Sequence, residues 1–210
     1  MPLIRKSSGG TGPSDSGGAA VDTLAALTRG STQERWAAAR AAAEGPGGAD
    51  ALGRALSTEE DPRVREAIFT SLIRIRTAES VEAVLPHLRS DDAGLRTGAL
   101  DALRAMPDVA APYVATLLQD ADSDVRLLAC DLARNLPSAQ ATRILCDLLE
   151  VETEGNVCAA AVDVLAENGG PEAMPVLARC SERFGGDPFL AFAIKVAADR
   201  IARQPADRRD

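Results

Sequence analysis

DPRVR at residues 61–65, DAGLR at residues 92–96 and DSDVR at residues 122–126 are three versions of one pattern. Each has an aspartate, an apolar residue three positions later and an arginine four positions later. The arginines lie 31 and 30 residues apart, and each segment opens a stretch rich in alanine and leucine. A fixed period of this length is typical of an array of structural repeats.

The period extends in both directions with weaker copies. Upstream, Ser31 and Arg35 keep the first residue and the arginine of the pattern. Downstream, Val157 and Cys158 take the apolar and arginine positions, and a further copy begins at Asp187. The chain therefore contains six copies, of which the central three are sharp. The outer ones fit capping repeats, which turn a polar side to water.

Each copy predicts two helices. The aspartate or serine is a good N-cap, and proline is well placed at the first helical position. The predicted second helices are Thr32–Ala43, Pro62–Ile75, Ala93–Ala105, Ser123–Asn135, Gly155–Glu167 and Pro188–Ala202. The predicted first helices are Ala19–Leu27, Ala49–Leu56, Ala78–Leu88, Val109–Leu118, Ala139–Leu149 and Pro171–Arg183. A pair of about 30 residues cannot bury its apolar side alone, so we expect the pairs to stack.

A known family shows similar residues. DPRVR at 61–65 and GPEAMPVL at 170–177 resemble the short bacterial HEAT repeat, also called the phycobilisome-lyase HEAT-like repeat. The resemblance covers about residues 19–203. It implies an all-α, right-handed α-α superhelix of about six helix pairs. Such repeats serve scaffolds, regulators, chaperones and a few enzymes, so the resemblance predicts the fold more sharply than the function.

The ends of the chain differ in composition from the repeats. Residues 1–18 are rich in serine and glycine, and we expect a disordered tail there, with a repeat domain at 19–203 and a short C-terminal tail at 204–210. The basic residues near the start are not followed by the apolar stretch of a secretory signal. The sequence also has no apolar run of about 18 residues that could cross a bilayer. The expected location is the cytoplasm, without a membrane contact.

Composition argues against several classes of function. A formal net charge of −8 opposes nucleic-acid binding, which needs clustered cations. His87 is the sole histidine, so a histidine-based metal site or catalytic triad within one chain is excluded. No phosphate-binding loop pattern occurs. We therefore predict no catalytic residue, no metal and no cofactor, and we interpret the four cysteines as reduced packing residues.

The most regular charges are the repeated arginines. We interpret them as a structural ladder in which each arginine bonds the capping acid of its own or a neighbouring repeat; an anion-binding ladder is the alternative. The predicted ladder consists of Arg35, Arg65, Arg96 and Arg126, with Asp61, Asp92 and Asp122 as the partners.

A second set of acids lies one helical turn beyond the ladder. Asp101, Asp131 and Asp163 follow the ladder position by five residues in three consecutive second helices. Four residues before that position, on the same side, come apolar residues that include Trp36 and Leu127. In HEAT-like proteins the second helices generally line the concave surface. We therefore predict an acidic stripe with apolar points that binds a basic helix or peptide.

Other interpretations of these residues stay open. The acidic stripe is alternatively an ordinary solvated surface, and Trp36 alternatively packs in the seam after the first repeat. Phe184, Phe189 and Phe192 are predicted to be core of the last repeat, with an interface as the alternative.

The predicted function is a non-catalytic protein-binding scaffold, adaptor or regulatory subunit that uses the concave surface. One alternative is a client-specific maturation factor or a chromophore lyase-like protein, which works with a partner subunit. Another is a self-associating structural module, so that the chain is a monomer or a homodimer. Visible absorption of a bound pigment would indicate the lyase-like protein, and light scattering would reveal a dimer.

Overall fold

The computed structural model describes residues 25–203, which are helical apart from short connections. The predicted tails and most of the predicted helix Ala19–Leu27 lie outside the described residues, although residues 25–28 are helical. The α-helices are α1 (Thr32–Ala42), α2 (Gly48–Leu56), α3 (Pro62–Ile75), α4 (Ala78–Val84), α5 (Ala93–Ala105), α6 (Pro107–Leu117), α7 (Ser123–Ala133), α8 (Ser138–Val151), α9 (Gly155–Asn168), α10 (Met174–Arg183) and α11 (Pro188–Arg203).

The predicted N-caps are confirmed. The Ser31 hydroxyl accepts from the Glu34 amide, and the Glu34 carboxylate accepts from the Ser31 amide in return, which makes a capping box at α1. The carboxylates of Asp61, Asp92 and Asp122 each accept a backbone N–H in the first turn of α3, α5 and α7. These bonds satisfy amides that have no partner within the helix, and so they define where each second helix begins.

The helices form two layers. The odd-numbered helices pack successively against one another, and we call them the second-helix layer. The even-numbered helices form the first-helix layer, and each packs against a second helix of its own repeat. The predicted α solenoid is confirmed. Buried alanines and leucines run through it as one continuous core.

Small residues let neighbouring repeats approach closely. The ring of Phe69 in α3 lies directly against Gly98 in α5, where an added Cβ would come within 2.5 Å of a ring atom. Only glycine therefore fits this contact without displacing the ring. Alanines such as Ala99 and Ala129 are fully buried, and they shorten the distance between helices in the same way.

Prolines divide two of the predicted first helices. The helix predicted at Ala78–Leu88 ends at Val84 and continues as a 3-10 helix at Leu85–Arg89, because Pro86 has no N–H to donate to a preceding carbonyl. The helix predicted at Pro171–Arg183 starts with a separate 3-10 turn at Pro171–Ala173. Neither change alters the position of the repeat.

The outer side of the last repeat is polar. In α9, which packs against α11, Val162 and Ala166 are buried. The residues 33 positions later in α11 are Lys195 and Asp199, and both are exposed. This exchange matches the polar outer side expected of a capping repeat. None of the described helices is long and apolar enough to cross a membrane.

The continuous core predicts a large penalty for a cavity in α8. Replacing the fully buried Leu145 with alanine should lower the free energy of unfolding by about 2–5 kcal/mol, since neighbouring helices cannot collapse fully onto the missing volume. Val151→Ala in the same helix is the control, because its side chain is largely exposed and should change stability by only about 0.5 kcal/mol. Urea unfolding followed by circular dichroism measures both, and equal losses would contradict the packing described.

Candidate protein-binding surface

Three ladder arginines reach across to the loop of the following repeat. Arg65 donates to Asp92 over 2.6 Å, as one of the predicted pairs requires. Arg35 and Arg126 instead bind Glu59 and Glu152, which are not among the predicted partners.

The remaining arginine differs. Arg96 donates to the carbonyl oxygen of Ser90 and forms no ion pair with any residue in the described range.

The predicted partners Asp61 and Asp122 are occupied elsewhere. Each carboxylate accepts the amide of its own helix two residues on, and Asp61 also accepts the Thr32 hydroxyl over 3.2 Å. Neither carboxylate forms an ion pair with a ladder arginine, because Arg35 and Arg126 bind Glu59 and Glu152 instead. The prediction that these two acids pair with ladder arginines is therefore corrected.

Glu59 and Glu152 fix the loop between the two helices of their own repeat, and each binds an arginine of the preceding repeat. Their side chains are only 5% and 3% exposed, and each accepts two N–H bonds from one arginine side chain. A carboxylate oxygen of each also accepts the backbone amides of the next two residues. Each acid lies two positions before a helix-capping residue. This spacing before the helix cap is the sequence signal by which the two acids could have been predicted as partners of the arginines.

The same contacts shift the ionisation of both acids. The pKa of Glu59 lies below its usual value because Arg35 donates to it, against the opposing effect of burial and with the help of backbone amides. For Glu152, burial is the largest single effect and raises the pKa. Hydrogen bonds from Arg126 and from two backbone amides together outweigh burial, so the pKa is lowered.

The residues of the predicted acidic stripe belong to a row of alternating charges. Arg104 binds Asp101 over 2.9 Å and Asp131 over 2.5 Å. Arg134 binds Asp163 over 3.0 Å, and it also contacts Asp131 and Glu167. We call this set the charged row; its members are Asp101, Arg104, Asp131, Arg134, Asp163 and Glu167.

The charged row keeps an excess of negative charge. Four carboxylates face two guanidinium groups, which leaves two negative charges. Asp101 and Asp163 are exposed, whereas Asp131 is half-buried between the two arginines. The two arginines were missed, although they follow Asp101 and Asp131 by three residues, a spacing that places side chains on one side of a helix. The predicted acidic stripe is corrected to this mixed row.

Exposed aromatic residues lie on the same layer. Trp36 is 40% exposed, and Phe189 and Phe192 are 87% and 69% exposed. Leu127 is half-buried and packs against the core. Trp36, Leu127 and Phe192 occupy the same position in repeats one, four and six, next to the ladder position. Of the three phenylalanines predicted to be core, only Phe184 packs against the hydrophobic core. The prediction is wrong for Phe189 and Phe192.

Other reactive side chains are mostly buried. His87 lies in the 3-10 helix after α4, and its pKa is lowered by burial and by the nearby charge of Arg65. The four cysteines are free, and burial raises the pKa of Cys130 to about 12 and that of Cys146 to about 11. Within residues 25–203 no group of three or more histidine, cysteine, aspartate or glutamate side chains is arranged to hold a metal ion.

These features define a class: an α-solenoid repeat protein with a continuous solvent-exposed side built from its second helices. A family model described as HEAT repeats matches residues 20–104 of this chain. The predicted resemblance to HEAT repeats is therefore confirmed over that part of the chain. The narrower likeness to the phycobilisome-lyase class stays a prediction.

Several solved structures are similar to this chain at low sequence identity. Cex1p is 12% identical with a TM-score of 0.54, and the match covers 89% of this chain but only 42% of Cex1p. A designed armadillo repeat protein is 16% identical with a TM-score of 0.43, covering 86% of this chain and 98% of its own. The CpcE–CpcF complex of phycocyanin lyase from Nostoc sp. PCC7120 is 15% identical with a TM-score of 0.38, covering 95% and 100%. A comparison with curated proteins gave no match.

The buried loop acids make stability depend on pH. The pKa of Glu152 in the folded state is below the ordinary 4.5. Its contribution to the free energy of unfolding is therefore fully present above pH 4.5 and is lost as the pH falls through the folded pKa. Glu152→Gln should lower the free energy of unfolding by about 1–3 kcal/mol at neutral pH and flatten the acid limb of the stability profile.

Urea unfolding from about pH 7 to about pH 3 tests this expectation. Glu60→Gln is the matched control, since Glu60 is exposed and has no ion pair within the described residues. The role assigned to Glu152 fails if its variant and the Glu60 variant show the same stability profile.

Proposed function

We propose that this protein is a non-catalytic protein-binding scaffold or adaptor. Its binding surface is the solvent-exposed side of the second-helix layer, which we call the second-helix face. The observation that carries this proposal is the exposure of Phe189 and Phe192, two large aromatic side chains on the first two turns of α11. Aromatic residues exposed beside charged groups are typical of protein interfaces, because covering them releases water from a large apolar area.

The charged row supports a partner of basic character. α9 packs directly against α11, so Asp163 and Glu167 lie on the helix next to the two phenylalanines. An amphipathic helix or peptide would place apolar side chains against Phe189 and Phe192. Its lysines or arginines would share the exposed carboxylates of Asp101 and Asp163. The apolar contacts would supply most of the affinity, and the charges would set orientation and association rate.

Two further features support a cellular location and a class of partner. Four free cysteines support a cytoplasmic location, since thiols stay reduced in that compartment. The excess of negative charge in the charged row supports a protein partner over a nucleic acid.

Self-association is the second candidate. The exposure of Phe189 and Phe192 that supports a partner protein also suits a pair of chains related by a twofold axis. This candidate requires a dimer that Phe189→Ser with Phe192→Ser converts to a monomer. Light scattering at several concentrations measures the mass, and a wild-type monomer at all of them removes the candidate.

The second-helix face predicts two variants that lose the partner and keep the fold. Asp101→Lys with Asp163→Lys, and separately Phe189→Ser with Phe192→Ser, should each weaken partner binding at least about tenfold, or about 1.4 kcal/mol. All four side chains are exposed, so circular dichroism and the thermal midpoint should change little.

The control reverses charge on the other layer. Asp147→Lys with Glu172→Lys alters exposed acids of the first-helix layer and its adjoining 3-10 turn and should leave binding unchanged. The measurement is affinity capture from native extract with mass spectrometry, followed by calorimetric titration of the captured protein. If both second-helix variants bind that protein as tightly as the control does, the proposal is overturned.

A further inference from the structure

The second-helix face carries the opposite charge at its N-terminal end. Trp36 in α1 lies beside Arg63 in the first turn of α3, and with Thr32 and Gln33 these residues line a pocket of about 390 Å³. The guanidinium group of Arg40 stacks over the Trp36 ring at 4.9 Å from its centre. The pocket therefore combines an aromatic wall with the cation of Arg63, and the second cation, Arg40, lies against the same indole ring.

Neither cation has an acidic partner among the described residues. Several arginines of the second-helix layer form ion pairs, as Arg35, Arg65 and Arg104 do. Arg40 and Arg63 form none with any residue in 25–203, although the chain has eight more acidic than basic residues. Two guanidinium groups that form no ion pair with a described residue, and that both adjoin the exposed Trp36, favour the binding of an anion.

The pocket is already arranged for such a group. A guanidinium group presents parallel N–H donors that match the two oxygens of a carboxylate. Stacking on Trp36 restricts the Arg40 side chain, so less conformational freedom is lost when an anion binds. The exposed part of the indole ring offers an apolar surface for the side chain next to that carboxylate.

We propose that this pocket binds an acidic segment of the partner protein, through a glutamate or aspartate that adjoins an apolar side chain. The proposal rests on the proposed function and deepens it. The partner would lie across the second-helix face with its acidic end over α1 and α3 and its basic, apolar part over α9 and α11. Packed helices lie about 8–10 Å apart, so five steps from α1 to α11 span about 40–50 Å. An extended segment of about 15 residues covers that distance.

Trp36 reports on the pocket directly, because it is the sole tryptophan of the chain. The probe is the acetylated and amidated tripeptide Glu-Leu-Glu, titrated to millimolar concentrations at low salt, with Lys-Leu-Lys as the charge-reversed peptide. We expect a saturable change in tryptophan emission with the acidic peptide alone. Added salt should weaken the binding, since the contacts are ionic.

Single variants identify the residues. Arg40→Gln and Arg63→Gln should each weaken binding of the acidic peptide at least about fivefold, or about 1 kcal/mol. Arg143→Gln is the matched control, because Arg143 is exposed, lies in α8 of the first-helix layer and forms no ion pair with a described residue.

The outcomes are separable from those of the proposed function. The pocket proposal is overturned by unchanged emission, by equal binding of the basic peptide, by wild-type affinity in the Arg40 and Arg63 variants, or by equally tight binding of inorganic phosphate. Any of these results leaves the scaffold itself standing if partner capture still depends on Phe189 and Phe192. Loss of that dependence with an intact peptide response removes the scaffold surface but keeps the pocket.

Discussion

Burial of apolar side chains between successive helix pairs is the constraint on which the structure depends. A pair of helices of about 30 residues has apolar residues on both sides, and neither side is covered until another pair stacks on it. The core is therefore shared along the chain, and Leu52, Leu103 and Leu145 are each fully buried within this common core. The ion pairs also connect neighbouring repeats. Of those between described residues, three join residues three or four positions apart, and the remaining ten join residues about one repeat apart.

Local chemistry made the helices predictable. An aspartate or serine cap followed by an apolar stretch with a 30-residue period is a signal that needs no knowledge of distant residues. The starts of α3, α5 and α7 therefore agree with the sequence. The breaks at Pro86 and before Met174 are also local in origin, since a missing N–H is visible in the sequence. They were missed because an apolar pattern continued through each proline.

The side chains of the surface were less predictable because long residues choose among several partners. Arg35 reaches Glu59 in the next loop, and only the stacked geometry shows that this acid is closer than Asp61. Arg104 likewise joins two aspartates from neighbouring helices, which converts an apparent acidic stripe into the charged row. Phe192 was misplaced for a different reason. Its chemistry favours a core, but its repeat position is the one that Trp36 holds on the exposed side.

The polar outer side of α11 has a consequence for assembly. A stack of similar units could in principle lengthen without limit, because each new chain would offer the next one the same apolar platform. Lys195 and Asp199 stand where α9 has Val162 and Ala166, so a further unit would have to bury two charged groups without partners built to receive them. Open-ended polymerisation into filaments is thereby disfavoured at this end, and the exposed phenylalanines remain free to serve a closed, finite complex.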